Sequence, residues 1–179
     1  MTGLSAHAQI GLYFNPVASR ISNSQADTGP FAFLGDGDKS QIFGGVDFGG
    51  YYDFLHFAKL DIGGDLRETI EHGNNASIES FTIGLHVEAK PMAHKLKPYA
   101  EFSVGDGRTR PPLSTVHVTK LEYDLTAGVD RPINRHVDWR IVEIGYGSVT
   151  TIGAQTYGGP EIPASKLLNF STGFVFRIR

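Results

Sequence analysis

Residues 166–179 read Lys-Leu-Leu-Asn-Phe-Ser-Thr-Gly-Phe-Val-Phe-Arg-Ile-Arg, and large apolar side chains fall on every second position: Leu168, Phe170, Phe174, Phe176 and Ile178. Small or polar Asn169, Ser171, Gly173 and Arg177 lie between them, with Val175 the exception. A period of two means a β-strand with one apolar and one wet face. Such a strand at the end of a meander predicts closure onto the first strand, because closure removes the unpaired edges of an open sheet.

The same period recurs along the chain. Residues 10–17 alternate Ile10, Leu12 and Phe14 with Gly11, Tyr13 and Asn15. Residues 41–52 place Ile42, Val46, Phe48 and Tyr52 on one face and Asp47 with glycines on the other, and a tight turn is predicted around Asp53 and Phe54. Residues 55–66 set Ala58, Leu60 and Ile62 against Lys59, Asp61 and Asp65. The cleanest alternation opposes Phe81, Ile83, Leu85, Val87 and Ala89 to Ser80, Thr82, Gly84, His86 and Glu88. Residues 95–105 and 116–130 repeat it, with Lys97, Tyr99 and Glu101 on the wet face of the first and Glu122 and Asp124 on that of the second. In residues 136–148 the parity shifts: Val137, Trp139 and Ile141 oppose Asp138 and Arg140, then Val142, Ile144 and Tyr146 oppose Glu143 and Gly145. One register change inside a strand predicts a β-bulge.

These stretches predict eight strands with links that alternate in length. The first, third, fifth and seventh links, residues 18–40, 67–76, 106–115 and 149–165, are polar or glycine-rich loops, and the other three are short turns. No apolar run reaches the roughly 20 residues of a membrane-spanning helix, whereas a barrel strand needs only about 9–11 alternating residues. The absence of cysteine excludes disulfides and thiolate metal sites. A net charge of -3 and a pI of about 6.1 argue against a nucleic-acid footprint. Ala6-His7-Ala8 before Gln9 fits the small-x-small rule of a signal-peptidase site. Residues 1–8 are therefore expected to be the tail of an export signal or an unstructured N-terminus, and 9–179 one domain.

Periodicity leaves open which face looks inward. A soluble eight-stranded binder lines its cavity with the apolar face, and a membrane barrel inverts this. A wet face rich in Gly, Ser and Thr with a few opposite charges suits a narrow lumen, and Tyr13, Tyr52, Phe54, Trp139 and Tyr146 sit where interfacial girdles belong. The expected fold is all-β, an eight-stranded antiparallel up-and-down transmembrane β-barrel.

Three stretches carry a resemblance: Lys97-Pro-Tyr-Ala-Glu-Phe102, Gly128-Val-Asp-Arg-Pro132 leading into His136-Val-Asp-Trp-Arg140, and Ser171-Thr-Gly-Phe-Val-Phe176. The chain resembles the outer-membrane protein β-barrel family, the group of the OmpA transmembrane domain and small OmpX-like barrels. Ser171, Gly173, Phe176 and Ile178 are similar to the C-terminal insertion signal of that family. The resemblance implies a bacterial outer-membrane location, contact with outer-membrane lipid and lipopolysaccharide, and passage through the barrel-assembly machinery. The peptidoglycan-binding domain that many OmpA relatives carry is not expected within these 179 residues, so tethering to the wall is not implied.

The wet-face charges are Lys59, Asp61, Asp65, His86, Glu88, Lys97, Glu101, Glu122, Asp124, Asp138, Arg140, Glu143 and Arg177. In a low-dielectric tube they must pair or stay hydrated. One outcome is a plug of salt bridges. The other is a gate within the lumen charge network of Lys59, Asp61, His86, Glu88, Glu101, Glu122, Asp124, Arg140 and Glu143, in which Arg140 or Lys59 exchanges carboxylate partners. The seven histidines show no metal-ligand spacing, and Asp36-Gly37-Asp38 reads as a plain turn. No catalytic residue, cofactor or metal site is expected. Function is expected to be structural or surface-contact, with at most minor gated permeation. The alternatives are a soluble barrel with a hydrophobic ligand and a lipid A-modifying enzyme, for which Ser114 and His117 are the one loose pair.

Overall fold

The computed structural model describes residues 9–29, 31–151 and 164–178. Eight strands follow in order: β1 Gln9–Ser22, β2 Ser40–His56, β3 Leu60–Gly73, β4 Ala76–Ala89, β5 Lys97–Arg110, β6 Val118–Pro132, β7 Val137–Val149 and β8 Ser165–Ile178. Each pairs antiparallel with its neighbour, and β8 pairs back onto β1 through Ile10↔Ile178, Phe14↔Phe174 and Ala18↔Phe170, so the barrel is closed. The expected export-signal tail, residues 1–8, and most of the last long loop lie outside the described residues.

The register fixes the stagger. From Leu12 the ladder runs through Gly50, Leu66, Ile83, Val104, Tyr123, Ser148 and Lys166, and meets β1 again at Ser22, ten positions further along. Such a shear tilts the strands by the roughly 35–45° of membrane barrels.

The faces are settled by exposure. Phe14, Phe48, Phe81, Ile83, Leu85, Phe102, Leu125, Phe174 and Phe176 all point outward, while the fully buried side chains include Arg140, His86 and Glu71. A continuous apolar exterior of this extent is a membrane surface. The soluble alternative is overturned, since the interior holds charge where a lipid-binding cavity would be greasy.

Several boundaries differ from the periodicity. β1 runs to Ser22 and β5 to Arg110 because ladder hydrogen bonds continue above the apolar belt, where side-chain hydropathy no longer alternates. The expected loop 67–76 is mostly strand, closed by a two-residue turn with Asn74 at φ 49° and Asn75 at φ 57°. That is the hairpin geometry that needs positive φ at both central positions, and asparagine tolerates it. The turn expected at Asp53 and Phe54 is also displaced. β2 continues through both to His56, and the chain reverses at residues 57–59. The bulge in β7 is present: Val142 and Arg140 face the consecutive residues Val129 and Asp130, leaving Ile141 unpaired on that side.

The first loop folds back over the barrel mouth. Its ends are joined by Asn23 N–H to Lys39 O at 2.8 Å, and Asp27 N–H reaches Asp38 O at 2.9 Å. The Asp27 carboxylate accepts the amides of Phe33 and Leu34. Those two side chains are driven into the lumen, with 0% and 1% exposure, against Ile21, Phe43, Ala76, Ile78, Val149 and Leu167. Phe33 stacks on Phe43 at 5.1 Å between ring centroids.

Candidate functional site

The lumen below that apolar plug is the candidate site, and β-strand parity builds it. Inward positions on β3 are Asp61, Asp65, Arg67 and Glu71, on β5 Lys97, Tyr99 and Glu101, and on β7 Asp138, Arg140 and Glu143. Three inward tyrosines each lie over the glycine directly opposite: Tyr13 over Gly49, Tyr51 over Gly11 and Tyr99 over Gly128. A methyl group on Gly128 would collide with the Tyr99 ring and hydroxyl. The glycines thus make the space that the rings fill.

At the tight-turn end, Arg177 and Lys97 close a four-member cluster with Glu88 and Asp138. Arg177 Nη2 binds Glu88 Oε2 at 2.7 Å, its Nε binds Asp138, and Lys97 Nζ binds Asp138 Oδ2 at 3.0 Å. Asp61 sits nearby with Lys90 and His56 rather than in this cluster.

The middle layer converges on Glu143. Arg67 Nη1 and Nη2 take its two oxygens at 2.7 and 3.0 Å, and Arg140 Nη1 adds a contact at 3.0 Å. Tyr99 OH donates at 2.6 Å and Ser171 Oγ at 2.9 Å. Charge-assisted bonds of this density are the strong class. Arg140 also forks onto Asp130, at 3.1 and 3.4 Å, and its guanidinium lies 4.5 and 4.8 Å from the Tyr99 and Tyr13 ring centroids. Arg67 reaches Glu101 at 3.4 Å and Tyr13 OH at 3.1 Å. His86 stacks on Tyr51 at 4.4 Å, with its Nδ1 3.8 Å from Glu101.

Between this layer and the plug lies a third zone with a different character. Glu71, Glu122 and Asp124 are buried there, and among the described residues none has a cationic partner within ion-pair distance. Glu122 accepts from Ser80 Oγ at 2.7 Å, and Asp124 from Thr126 Oγ1 at 3.0 Å.

Of the nine expected network residues, the structure brings eight into the lumen: Asp61, His86, Glu88, Glu101, Glu122, Asp124, Arg140 and Glu143. They fall into the three layers rather than one network. Lys59 is the correction: it is exposed in the β2–β3 turn, because the strand ends before the alternating pattern does. The cation that partners Arg140 is Arg67 instead, hidden in sequence inside the stretch expected to be a loop. Its signal was the parity running on from Asp61 and Asp65. Ser114 and His117 do not form a hydrolytic pair. Ser114 Oγ accepts the Val116 amide at 3.0 Å in an exposed loop turn.

No protein-family profile and no curated protein matches this sequence. Solved structures do match in shape. Neisserial surface protein A (NspA) superposes with TM-score 0.62 at 12% identity, covering 93% of this chain and 96% of that one. Ail, the attachment invasion locus protein of Yersinia pestis, determined in complex with the heparin analogue sucrose octasulfate, gives TM-score 0.56 at 11% identity, covering 96% of this chain and 99% of that one. The fold is that of the small eight-stranded outer-membrane barrels.

Proposed function

We propose that this protein is a non-enzymatic outer-membrane barrel with a structural or surface-contact role, whose lumen passes at most a minor, gated flux of ions. The observation that carries this is a pair of seals in series. The Arg67–Glu143–Arg140 layer crosses the lumen from β3 to β7, and the Phe33–Leu34 plug closes the mouth above it. An eight-stranded barrel has an interior that side chains fill, so a general porin is disfavoured. In the gate, Arg140 would trade Glu143 for Asp130, which it already contacts.

The apolar belt supports residence in outer-membrane lipid with lipopolysaccharide as its outer neighbour. The pattern Ser171, Gly173, Phe176, Ile178 on the closing strand supports delivery by the barrel-assembly machinery, with Phe176 and Ile178 presented outward. Planar-bilayer recording tests the functional reading. Wild type should be silent or show brief, small openings. A steady conductance of porin size would refute it.

A further inference from the structure

Among the described residues the lumen buries four cations, Arg67, Lys97, Arg140 and Arg177, against twelve strand-borne carboxylates. Three of these carboxylates, Glu71, Glu122 and Asp124, lie in the zone under the plug, where none of the four cations pairs with them. A cavity of about 20 Å³ lies there, lined in part by Glu71, Glu122, Asp124, Asn169 and Ser80, with Arg67 on its wall toward the arginine layer. Its volume suits one particle the size of a water molecule.

The unsatisfied groups around this cavity share a chemical type. Glu71 Oε1, Asp124 Oδ1 and Asn169 Oδ1 are buried and have no hydrogen-bond partner. Glu71 is 2% exposed and Asp124 7%, and both line the cavity. Asn169 turns its amide nitrogen toward Asp124 Oδ2 at 3.5 Å, which leaves its carbonyl oxygen for the cavity. All three orphans are oxygen acceptors. They come from β3, β6 and β8, so the barrel rather than any local turn gathers them. Buried charge without a partner is strongly disfavoured, and Arg67, the nearest guanidinium, is already engaged by Glu143 and Glu101.

We propose that this cavity binds one alkali-metal cation, Na⁺ or K⁺, through Glu71, Asp124 and Asn169. Oxygen-only donors select a hard cation. A tightly held divalent metal is a poorer fit, because among the described residues no three carboxylate or imidazole groups are arranged to hold one. The plug and the arginine layer bracket the site, so the ion would exchange slowly. The proposal is independent of whether the lumen conducts.

The test is thermal unfolding of the detergent-folded full chain at pH 8, in NaCl, KCl or choline chloride at equal ionic strength. An ion that binds only the folded barrel raises the midpoint by a constant increment for each tenfold rise in concentration above its Kd. The expected result is a higher midpoint in Na⁺ or K⁺ than in choline. Asp124→Asn and Glu71→Gln should abolish that difference while unfolding no earlier than wild type in choline, because each removes an uncompensated charge. Equal wild-type midpoints in all three salts would overturn the proposal. So would a difference that persists in both variants, or stability that ignores the cation and falls as pH rises, since protons would then fill the role. If neither variant folds, crystals of wild type soaked in Rb⁺ decide: anomalous density in the cavity supports the site, and its absence refutes it.

Discussion

Arg67 grips both carboxylate oxygens of Glu143, at 2.7 and 3.0 Å, and so ties β3 to β7 across the full width of the lumen. Removing Arg67 leaves buried Glu143 with Arg140 as its one remaining cationic partner among the described residues and takes the guanidinium from Glu101. Arg67→Ala should cost about 3–5 kcal/mol of folding stability, the usual penalty for breaking a buried pair. Urea unfolding of the detergent-folded barrel measures it. Glu143→Gln should cost less than Glu143→Ala, because the amide fills the same space and its single oxygen still accepts from one of Tyr99 and Ser171, which bond different carboxylate oxygens.

Two seals in series predict a non-additive effect on conductance. Arg140→Ala alone should stay nearly silent in planar bilayers because Phe33 and Leu34 still close the mouth. Phe33→Ala alone should also stay nearly silent. The double variant should open stable single-channel steps, and a conductance in Arg140→Ala equal to that of the double variant would assign the whole barrier to the arginine layer.

Asp27 is the clamp that turns the first loop inward, through the Phe33 and Leu34 amides. Asp27→Ala should release the plug, at a cost of roughly 1–3 kcal/mol for two buried donors left unmatched. Limited proteolysis of intact cells or proteoliposomes should then cut within residues 23–39 faster than in wild type.

The outward face makes a prediction of its own. Ile83 lies on β4 between Phe81 and Leu85, well inside the apolar belt, and is 60% exposed to what the fold makes lipid. Ile83→Arg should destabilise the barrel in bilayers by about 2–4 kcal/mol, as a cation near mid-membrane does. The same change in a soluble barrel would be close to neutral.

Gly128 leaves room for the Tyr99 ring, whose hydroxyl donates to Glu143 at 2.6 Å. Gly128→Ala should displace that ring and raise the intensity of Tyr99 exchange broadening in NMR spectra of the micelle-bound barrel. Gly44→Ala, where no heavy atom lies within 4 Å of the added methyl, serves as the control.

The strand count, the inside-out orientation and the β7 bulge were legible because each rests on side-chain parity, which is local. β4 is the clearest example, with every residue from Phe81 to Ala89 on the face its period assigns. Arg67 and Glu71 were hidden because the outward neighbours at that height, Glu68 and His72, are polar, so hydropathy no longer alternates although the backbone does. The Gly73-Asn74-Asn75 turn was the usable signal there. Lys59 misled for the opposite reason: it shares the parity of Asp61 but lies beyond the point where β2 stops. The plug could not be read at all. Phe33 and Leu34 stand out as apolar in a polar loop, but their destination depends on Asp27 and on walls supplied by β1, β2, β4, β7 and β8.

The bulge at Ile141 settles which side of the wall half a strand inhabits. Arg140 and Glu143 are three residues apart, and an unbroken strand would send one into the lumen and the other into lipid. The irregularity cancels that odd step, and Thr172 Oγ1 secures it by donating to Arg140 O at 2.8 Å. Straightening the bulge with Ile141 kept in strict alternation would therefore act like a frameshift in space, whereas deleting Ile141 would leave Glu143 inward. In the straightened strand Glu143, Gly145 and Gly147 would be exported to the bilayer, and Ile144 and Tyr146 imported into the tube. A single backbone irregularity is thus what allows the central carboxylate to exist in this membrane.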